Sequence, residues 1–135
     1  MSKSAIYTVN QSAQSVAVNG TINLGNIVRR FGPNLDLGGN AIMVSGAGYY
    51  DLDVSITAAP TAAGNVTVTA FKDDVAIPGA VATQSTTAAN NPVNLSISSL
   101  VREICPCCEG LSNITFVLTG TASSVTNISV VIQKI

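Results

Sequence analysis

The sequence contains no histidine and no tryptophan, and only 10% of its 135 residues are charged. Without an imidazole base, neither a Ser-His-Asp triad nor a Cys-His pair can form. No Walker loop or dinucleotide-binding fingerprint is present either. Asp51 and Asp53 share a face of a predicted strand, but their alternation with Leu52 and Val54 is explained by a polar outer face. We therefore predict that the chain is not an enzyme.

Basic and aromatic residues are too few for a nucleic-acid interface. The chain has six Lys and Arg residues, three Phe and three Tyr, and a net charge of −1. A nucleic-acid-binding surface needs a basic stripe with stacking aromatics, so we expect no nucleic-acid partner. Only Arg29 and Arg30 are adjacent. They either meet an acidic partner surface or lie on a solvated edge strand.

Long apolar runs are also missing. Every apolar run is interrupted by Thr, Ser, Asn or Gly well before the roughly 20 residues that a membrane span requires. The start, Met1–Ala5, lacks the apolar core of a signal peptide. We expect a chain that folds in a cytoplasm, with its thiols initially reduced and without membrane association.

What the sequence has in abundance is alternation of apolar and polar residues, which is the pattern of β-strands. Turn signals such as Asn19-Gly20 and Gly38-Gly39 separate these segments at short intervals. The pattern predicts one all-β domain over residues 1–135, an antiparallel β-sandwich or jelly roll of about ten strands. Two segments, 16–18 and 130–132, are apolar on both faces and are predicted to be covered on both sides. The predicted strands are Ala5–Val9, Ser15–Val18, Ile22–Arg29, Ala41–Ser45, Tyr50–Ile56, Val66–Phe71, Val75–Ala82, Val93–Ser98, Asn113–Gly120 and Thr126–Lys134.

All three cysteines, Cys105, Cys107 and Cys108, lie within four residues around Pro106. Three thiols cannot all pair within one chain, and a disulfide between the neighbours Cys107 and Cys108 would be strained. In an extended segment Cys105 and Cys107 share a face, while Cys108 points elsewhere. Three interpretations remain open: a zinc–thiolate cluster shared between subunits, inter-chain disulfides, and reduced thiols that pack as small hydrophobes. The metal hypothesis names all three cysteines as ligands and requires an oligomer.

The segments 48–54 and 66–78 carry a resemblance to a known family. Gly48-Tyr49-Tyr50-Asp51-Leu52-Asp53-Val54 resembles the G-x-Y-x-φ-x-φ strand of the C1q/TNF-like jelly rolls, in which φ is apolar. The segment from Val66 to Pro78 resembles the hairpin that follows in that family, with Asp74 at the usual turn glycine. The segment 125–135 resembles its closing strand. The low-charge composition and the Cys-rich segment are similar to those of small proteins encoded among the structural genes of phages and prophages of Gram-positive gut bacteria.

This resemblance implies a homotrimer that serves as a virion surface component, either a capsid decoration protein or a head-fibre tip. The chain has no collagen-like or coiled-coil stalk, so a trimer that sits directly on another surface is the expectation. The predicted function is a trimeric phage capsid decoration protein that stabilises the shell. It would bind the major capsid protein or another virion surface after assembly in the host bacterial cytoplasm. The alternative is a receptor- or glycan-binding jelly-roll head of a phage fibre or of a spore or cell surface protein, with Phe31 as the main candidate for stacking on a sugar.

Overall fold

Two antiparallel sheets form a β-sandwich, and all regular elements are strands in the residues that the computed structural model describes, 3–103 and 112–135. The all-β prediction is confirmed. These ranges contain β1 (Ala5–Asn10), β2 (Gln14–Val16), β3 (Gly20–Thr21), β4 (Asn26–Phe31), β5 (Leu35–Gly38), β6 (Ala41–Val44), β7 (Gly48–Pro60), β8 (Gly64–Lys72), β9 (Val75–Thr86), β10 (Val93–Glu103), β11 (Ser112–Gly120) and β12 (Ser123–Lys134).

The strand order brings together segments that are far apart in sequence. Sheet 1 has the order β10-β7-β12-β1-β4, with β2 paired to β12. Sheet 2 has the order β5-β6-β11-β8-β9, with β3 paired to β11. The first and last long strands, β1 and β12, are therefore neighbours at the centre of sheet 1. Consecutive strands alternate between the two sheets over much of the chain, as in a jelly roll.

Two of the differences from the predicted strands have local causes. The predicted strand Ile22–Arg29 is interrupted at Gly25, which has a left-handed φ of 78°, so only Asn26–Phe31 pairs as β4. The short strand β5 follows Pro33 and was not predicted, because four residues ending in Gly38 look like a turn in sequence. No helix in the described part of the chain has the length and hydrophobicity needed to cross a membrane.

The core lies between the two sheets and follows from the period of two. Along β7, alternate residues from Tyr50 to Ala58 are fully buried, and β8, β10, β11 and β12 show the same alternation. Fully burying one aliphatic or aromatic side chain stabilises the fold by about 1.5–3 kcal/mol. The largest fully buried side chains are Tyr50, Phe116, Ile6, Ile22, Leu24, Leu35, Ile42, Leu52, Ile56, Leu95, Ile114 and Leu118.

The two segments that are apolar on both faces behave differently. Val130 and Ile132 are buried in the core, and β12 lies between β7 and β1 at the centre of sheet 1. The prediction for 16–18 is wrong, because β2 ends at Val16 and Val18 is 46% exposed. Residues 17–19 lie in the connection from β2 in sheet 1 to β3 in sheet 2, and Asn19 in this connection has a left-handed φ of 67°.

The β8–β9 hairpin turns at Asp73 and Asp74, which both have left-handed backbones with φ of 50° and 66°. Two left-handed residues in a two-residue loop define a type I′ turn, whose twist matches that of the flanking strands. The Asp73 carboxylate accepts a hydrogen bond of 2.9 Å from the backbone N–H of Asn113 on β11. The Asp73 N–H in turn donates to the Asn113 carbonyl. These two hydrogen bonds thus connect the hairpin turn to the first residues of β11, the central strand of sheet 2.

Candidate subunit interface and the ends of the cysteine segment

The outer face of sheet 1 is the most distinctive surface of the described residues. Strand register places side chains from five strands in rows across it. One such row, from one edge of the sheet to the other, consists of Arg29, Tyr7, Val131, Asp53 and Ser98. The next row consists of Phe31, Ala5, Gln133, Asp51 and Leu100.

Small uncharged side chains occupy the middle of this face. Ser129 of β12 lies opposite Ser55 of β7, which in turn lies opposite Ser96 of β10. These residues line a shallow depression of about 340 Å³, together with Val131, Asp53 and Ser98. The Ser98 hydroxyl donates a 3.0 Å hydrogen bond to Asp53 Oδ1. Asp53 is the one charged side chain that lines this depression, so covering the centre would desolvate a single carboxylate, which is already hydrogen-bonded to Ser98.

The two margins of the face differ in charge. Arg29 lies on β4 at one margin, whereas Asp51 and Asp53 lie on β7 toward the other. Apolar side chains are exposed beside them, with Tyr7 37% and Phe31 60% accessible. The face thus carries Arg29 at the β4 margin, and Asp51, Asp53 and Arg102 toward the β10 margin.

The two adjacent arginines, Arg29 and Arg30, have different surroundings in the structure. Arg30 donates from Nε to the Leu35 carbonyl at 2.6 Å and lies 3.6 Å from the Asp36 carboxylate, so it links β4 to β5. Arg29 makes no salt bridge within residues 3–103 and 112–135. Arg29 is the member of the pair that remains available to a partner.

Cys105, Cys107 and Cys108, the predicted metal ligands, lie outside the described residues. The structure does define the two ends of the segment that contains them, Glu103 on β10 and Ser112 on β11, and both are buried. Glu103 Oε1 lies 3.4 Å from Lys72 Nζ, so this ion pair joins the end of sheet 1 to sheet 2. Glu103 Oε2 is buried without a hydrogen-bond partner among the described residues. Within 3–103 and 112–135, no three Cys, Asp or Glu side chains are grouped so that they would hold a metal ion.

Tyr49 and Tyr50 split across sheet 1, as expected for consecutive strand residues. Tyr50 is fully buried, and its hydroxyl lies 2.9 Å from the Ser45 carbonyl and 2.8 Å from the Gly46 carbonyl. Burial raises the pKa of Tyr50 above its ordinary value, and the negative charge of Glu103 raises it further. Tyr49 is 48% exposed, and the Arg102 guanidinium lies 5.9 Å from its ring centroid.

Sequence reasoning missed the Lys72–Glu103 pair, although one signal could have found it. Val101 and Glu103 are two residues apart on β10 and therefore share the inward face. A carboxylate in phase with core residues at a strand end predicts a buried ion pair. The outer face of sheet 1 had no such signal, because it forms from strands that are distant in sequence.

Comparison with known proteins supports the fold and reaches no further. No protein-family model and no curated protein sequence matches the chain. Murine APRIL superposes with a TM-score of 0.71 at 12% identity, over 98% of this chain and 99% of that one. PRD1 vertex protein P5 gives 0.63 at 15% identity, over 98% and 96%. The globular domain of zebrafish complement 1qA gives 0.63 at 4% identity, over 97% and 94%.

At 4–15% identity these neighbours show the fold alone, so the prediction that this chain is not an enzyme stays a prediction. Their superpositions cover nearly the whole chain and include both sheets. The resemblance stated from residues 48–54 and 66–78 is confirmed at the level of the fold. The chain has the fold of the TNF/C1q-like jelly rolls.

Proposed function

We propose that the protein is a homotrimeric structural component of a phage virion that decorates and stabilises the capsid. Its fold is shared with a vertex protein, P5 of PRD1. The resemblance of its sequence to jelly-roll proteins among phage structural genes supports the same assignment. Low surface charge is a further support, since only 10% of the residues are charged and a lone monomer would have little to keep it soluble.

The outer face of sheet 1 carries this proposal. Its centre is lined by small side chains with Asp53 as the one charge, and Arg29 lies at one margin while Asp51 and Arg102 lie toward the other. In a closed ring each copy offers one margin to one neighbour and the opposite margin to the other neighbour. In that arrangement the Asp51 and Asp53 carboxylates of one copy can meet Arg29 of its neighbour. We assign this face as the subunit interface of the trimer.

The zinc hypothesis belongs to the same assembly. Cys105, Cys107 and Cys108 from several subunits would share zinc ions through terminal and bridging thiolates. Reduced thiols in a cytoplasm favour this chemistry over disulfides. A closed zinc site contributes on the order of 10 kcal/mol to the stability of small zinc-binding peptides. Such a site would outweigh any single surface contact in holding subunits together.

Native mass spectrometry of protein purified without chelator tests the metal hypothesis. The hypothesis predicts an oligomer with extra mass equal to whole zinc ions, which is lost with strong chelator and is absent when all three cysteines are replaced by serine. An oligomer that carries no metal and ignores chelator would contradict it. Subunits that separate only with reductant would establish inter-chain disulfides instead.

Binding to shells tests the decoration role. The protein should co-sediment at saturable stoichiometry with empty shells assembled from the major capsid protein of the same phage, and it should raise their melting temperature. Shells of an unrelated phage serve as the control. Absence of binding to the cognate shells would contradict the role.

One observation favours the alternative of a glycan- or receptor-binding head. Phe31 is 60% exposed at the edge of sheet 1, where its ring is free to stack on a sugar. Purified host cell walls are the appropriate probe. Binding that Phe31→Ala abolishes, with no binding to shells, would assign the protein to the alternative.

A further inference from the structure

Charged residues are confined to one half of the sandwich in the described part of the chain. In sheet 1 the row from Arg29 to Ser98 is the last one that holds a charged side chain. Beyond it, toward the end of the sheet where Pro60 pairs with Ser123, every residue of sheet 1 is uncharged. In sheet 2 the charged residues lie on β5 and around the β8–β9 turn, next to the first residues of β11.

The strand connections at the other end of the sandwich form one surface, the uncharged end. This surface consists of residues 17–19, 61–63, 87–92 and 121–122. All of these residues are Ala, Thr, Asn, Val or Pro, and those of the first three connections are exposed. Charged side chains normally keep such an exposed surface soluble and free of partners. A surface of small uncharged residues therefore favours coverage by another molecule.

Hydrogen bonds between the connections hold the uncharged end in one arrangement. The Thr61 N–H and the Thr61 hydroxyl both donate to the Ala122 carbonyl, at 2.9 Å and 3.0 Å. The Asn90 N–H donates to the Pro60 carbonyl at 2.7 Å. The connections that follow β7, β9 and β11 are thereby joined to one another. Because the loops are already ordered, a partner that covers them would cost little backbone freedom.

The uncharged end is separate from the face that we assign to the trimer. The central depression of that face is lined by residues of the strands β7, β10 and β12, and none of them belongs to the four connections. Rotation about a three-fold axis carries each uncharged end to the same height along that axis. A trimer would therefore present three uncharged ends together, at one level.

We propose that the uncharged end is the surface through which the protein attaches to the shell, and that the contacted shell surface is itself uncharged. Charged residues are depleted from the cores of protein–protein interfaces, because a charge loses its water when it is buried. Alanine and threonine, which are frequent here, lose little side-chain freedom when they are covered. This assignment rests on the decoration role and names the surface that performs it.

Sugars and nucleic acids fit the uncharged end less well than a protein surface does. None of the four connections contains an aromatic residue on which a sugar ring would stack. They also contain no lysine or arginine to neutralise phosphates. What the connections offer is backbone and amide hydrogen-bonding groups between small side chains, which suits close contact with an uncharged protein surface.

Co-sedimentation of the full-length protein with the cognate empty shells tests the assignment. Ala62→Asp and Ala89→Asp each put a carboxylate on the uncharged end and should weaken shell binding at least about tenfold. Ala47→Asp is the matched control, because Ala47 is an exposed alanine in the connection between β6 and β7 at the opposite end. It should change binding less than about twofold. Thermal melts check that these exposed substitutions leave the fold intact.

Salt dependence and hydrogen exchange locate the contact without a substitution. Shell binding by wild type should change less than about twofold between roughly 0.05 and 0.5 M NaCl, because no charge of the protein takes part in the contact. Attachment through the charged half would instead weaken as salt is added. On shell-bound protein, amide exchange should slow at residues 61–63 and 87–91 and stay unchanged at residues 46–47.

The outcomes separate this assignment from the decoration role itself. If wild type binds shells and the Ala62→Asp and Ala89→Asp variants bind equally well, or if Ala47→Asp weakens binding as much as they do, the decoration role stands and the assignment is wrong. If wild type binds no cognate shell, both are wrong. A doubled native mass that Ala62→Asp abolishes would overturn the assignment in favour of a second copy of the oligomer, and cell-wall binding that Ala62→Asp abolishes would overturn it in favour of a glycan.

Discussion

Lys72 and Glu103 form the more buried of the two ion pairs that join the two sheets in the described residues, and this burial makes the pair important for stability. The Glu103 side chain is only 4% exposed and that of Lys72 is 25% exposed. We expect Lys72→Met to lower the free energy of unfolding by about 2–3 kcal/mol, because it leaves a buried carboxylate without its cation. The partial exposure of Lys72 keeps the loss below that of a fully buried pair. Urea denaturation at pH 7 measures it.

The exposed pair Arg30–Asp36 is the control for this prediction. The two side chains are 39% and 52% exposed, so water screens their attraction. Asp36→Asn removes the charge while keeping an oxygen that accepts from the Leu37 N–H. It should change the free energy of unfolding by less than about 1 kcal/mol. If Lys72→Met and Asp36→Asn lowered the free energy of unfolding equally, the argument that the buried ion pair contributes more than the exposed one would be wrong.

The raised pKa of Tyr50 predicts that the protein loses stability at alkaline pH. Its pKa is higher in the folded chain than the ordinary value of 10.0, because of burial and the nearby Glu103 charge. The folded state therefore keeps the neutral phenol while the unfolded state ionises. The resulting stability is complete below pH 10.0 and is lost as the pH rises through the folded-state pKa.

Tyr50→Phe provides the measurement. At neutral pH the variant should be less stable by about 1 kcal/mol, since the hydroxyl no longer bonds the Ser45 and Gly46 carbonyls. Above pH 10 the stability of wild type should fall more steeply than that of the variant, so the gap should narrow. Parallel stability–pH curves across this range would show that the phenol does not titrate as argued.

At the scale of the elements, a substitution in the β8–β9 turn is expected to stabilise the fold. Asp74 has a left-handed φ of 66°, which costs a residue with a Cβ more than it costs glycine. Asp74→Gly should therefore raise the free energy of unfolding by about 0.5–1 kcal/mol, because Asp-Gly is a preferred type I′ pair. Chemical denaturation checks this.

Gly79→Ala is the opposite test of the same backbone effect. Gly79 has a left-handed φ of 80°, and a Cβ there would meet no atom within 4 Å. Alanine should therefore destabilise the chain by about 1 kcal/mol through backbone strain alone. If Gly79→Ala left the free energy of unfolding unchanged, or if Asp74→Gly lowered it, the assignment of backbone strain to these two positions would be wrong.

Much of the element pattern could be predicted from sequence, because alternation directly reports which residues face a core. β7, β8, β10, β11 and β12 follow it, and their buried residues are those in phase with the apolar ones. The same reasoning fails for Val18, because β2 ends at Val16 and Val18 lies in the connection to the other sheet. β5 could not be predicted because its pairing with β6 depends on tertiary context.

The candidate interface belongs to the whole molecule, which explains why sequence reasoning did not find it. The sequence singled out Arg29 separately from Asp51 and Asp53, but nothing local indicates that a row of cross-strand neighbours joins Arg29 to Asp53. That row requires β4, β1, β12 and β7 to be adjacent, and only the jelly-roll topology makes them so. The metal hypothesis for Cys105, Cys107 and Cys108 has the opposite origin, since it comes entirely from their spacing in sequence.

The most direct test of the account is the native mass of the wild-type protein and of two matched variants. Ser129→Arg places a large charge at the centre of the outer face of sheet 1, whereas Thr115→Arg does the same on the outer face of sheet 2; both positions are half-buried strand sites. The account predicts a trimer for wild type and Thr115→Arg, and folded monomers for Ser129→Arg. A monomeric wild type, or a trimer broken by Thr115→Arg and intact in Ser129→Arg, would contradict it.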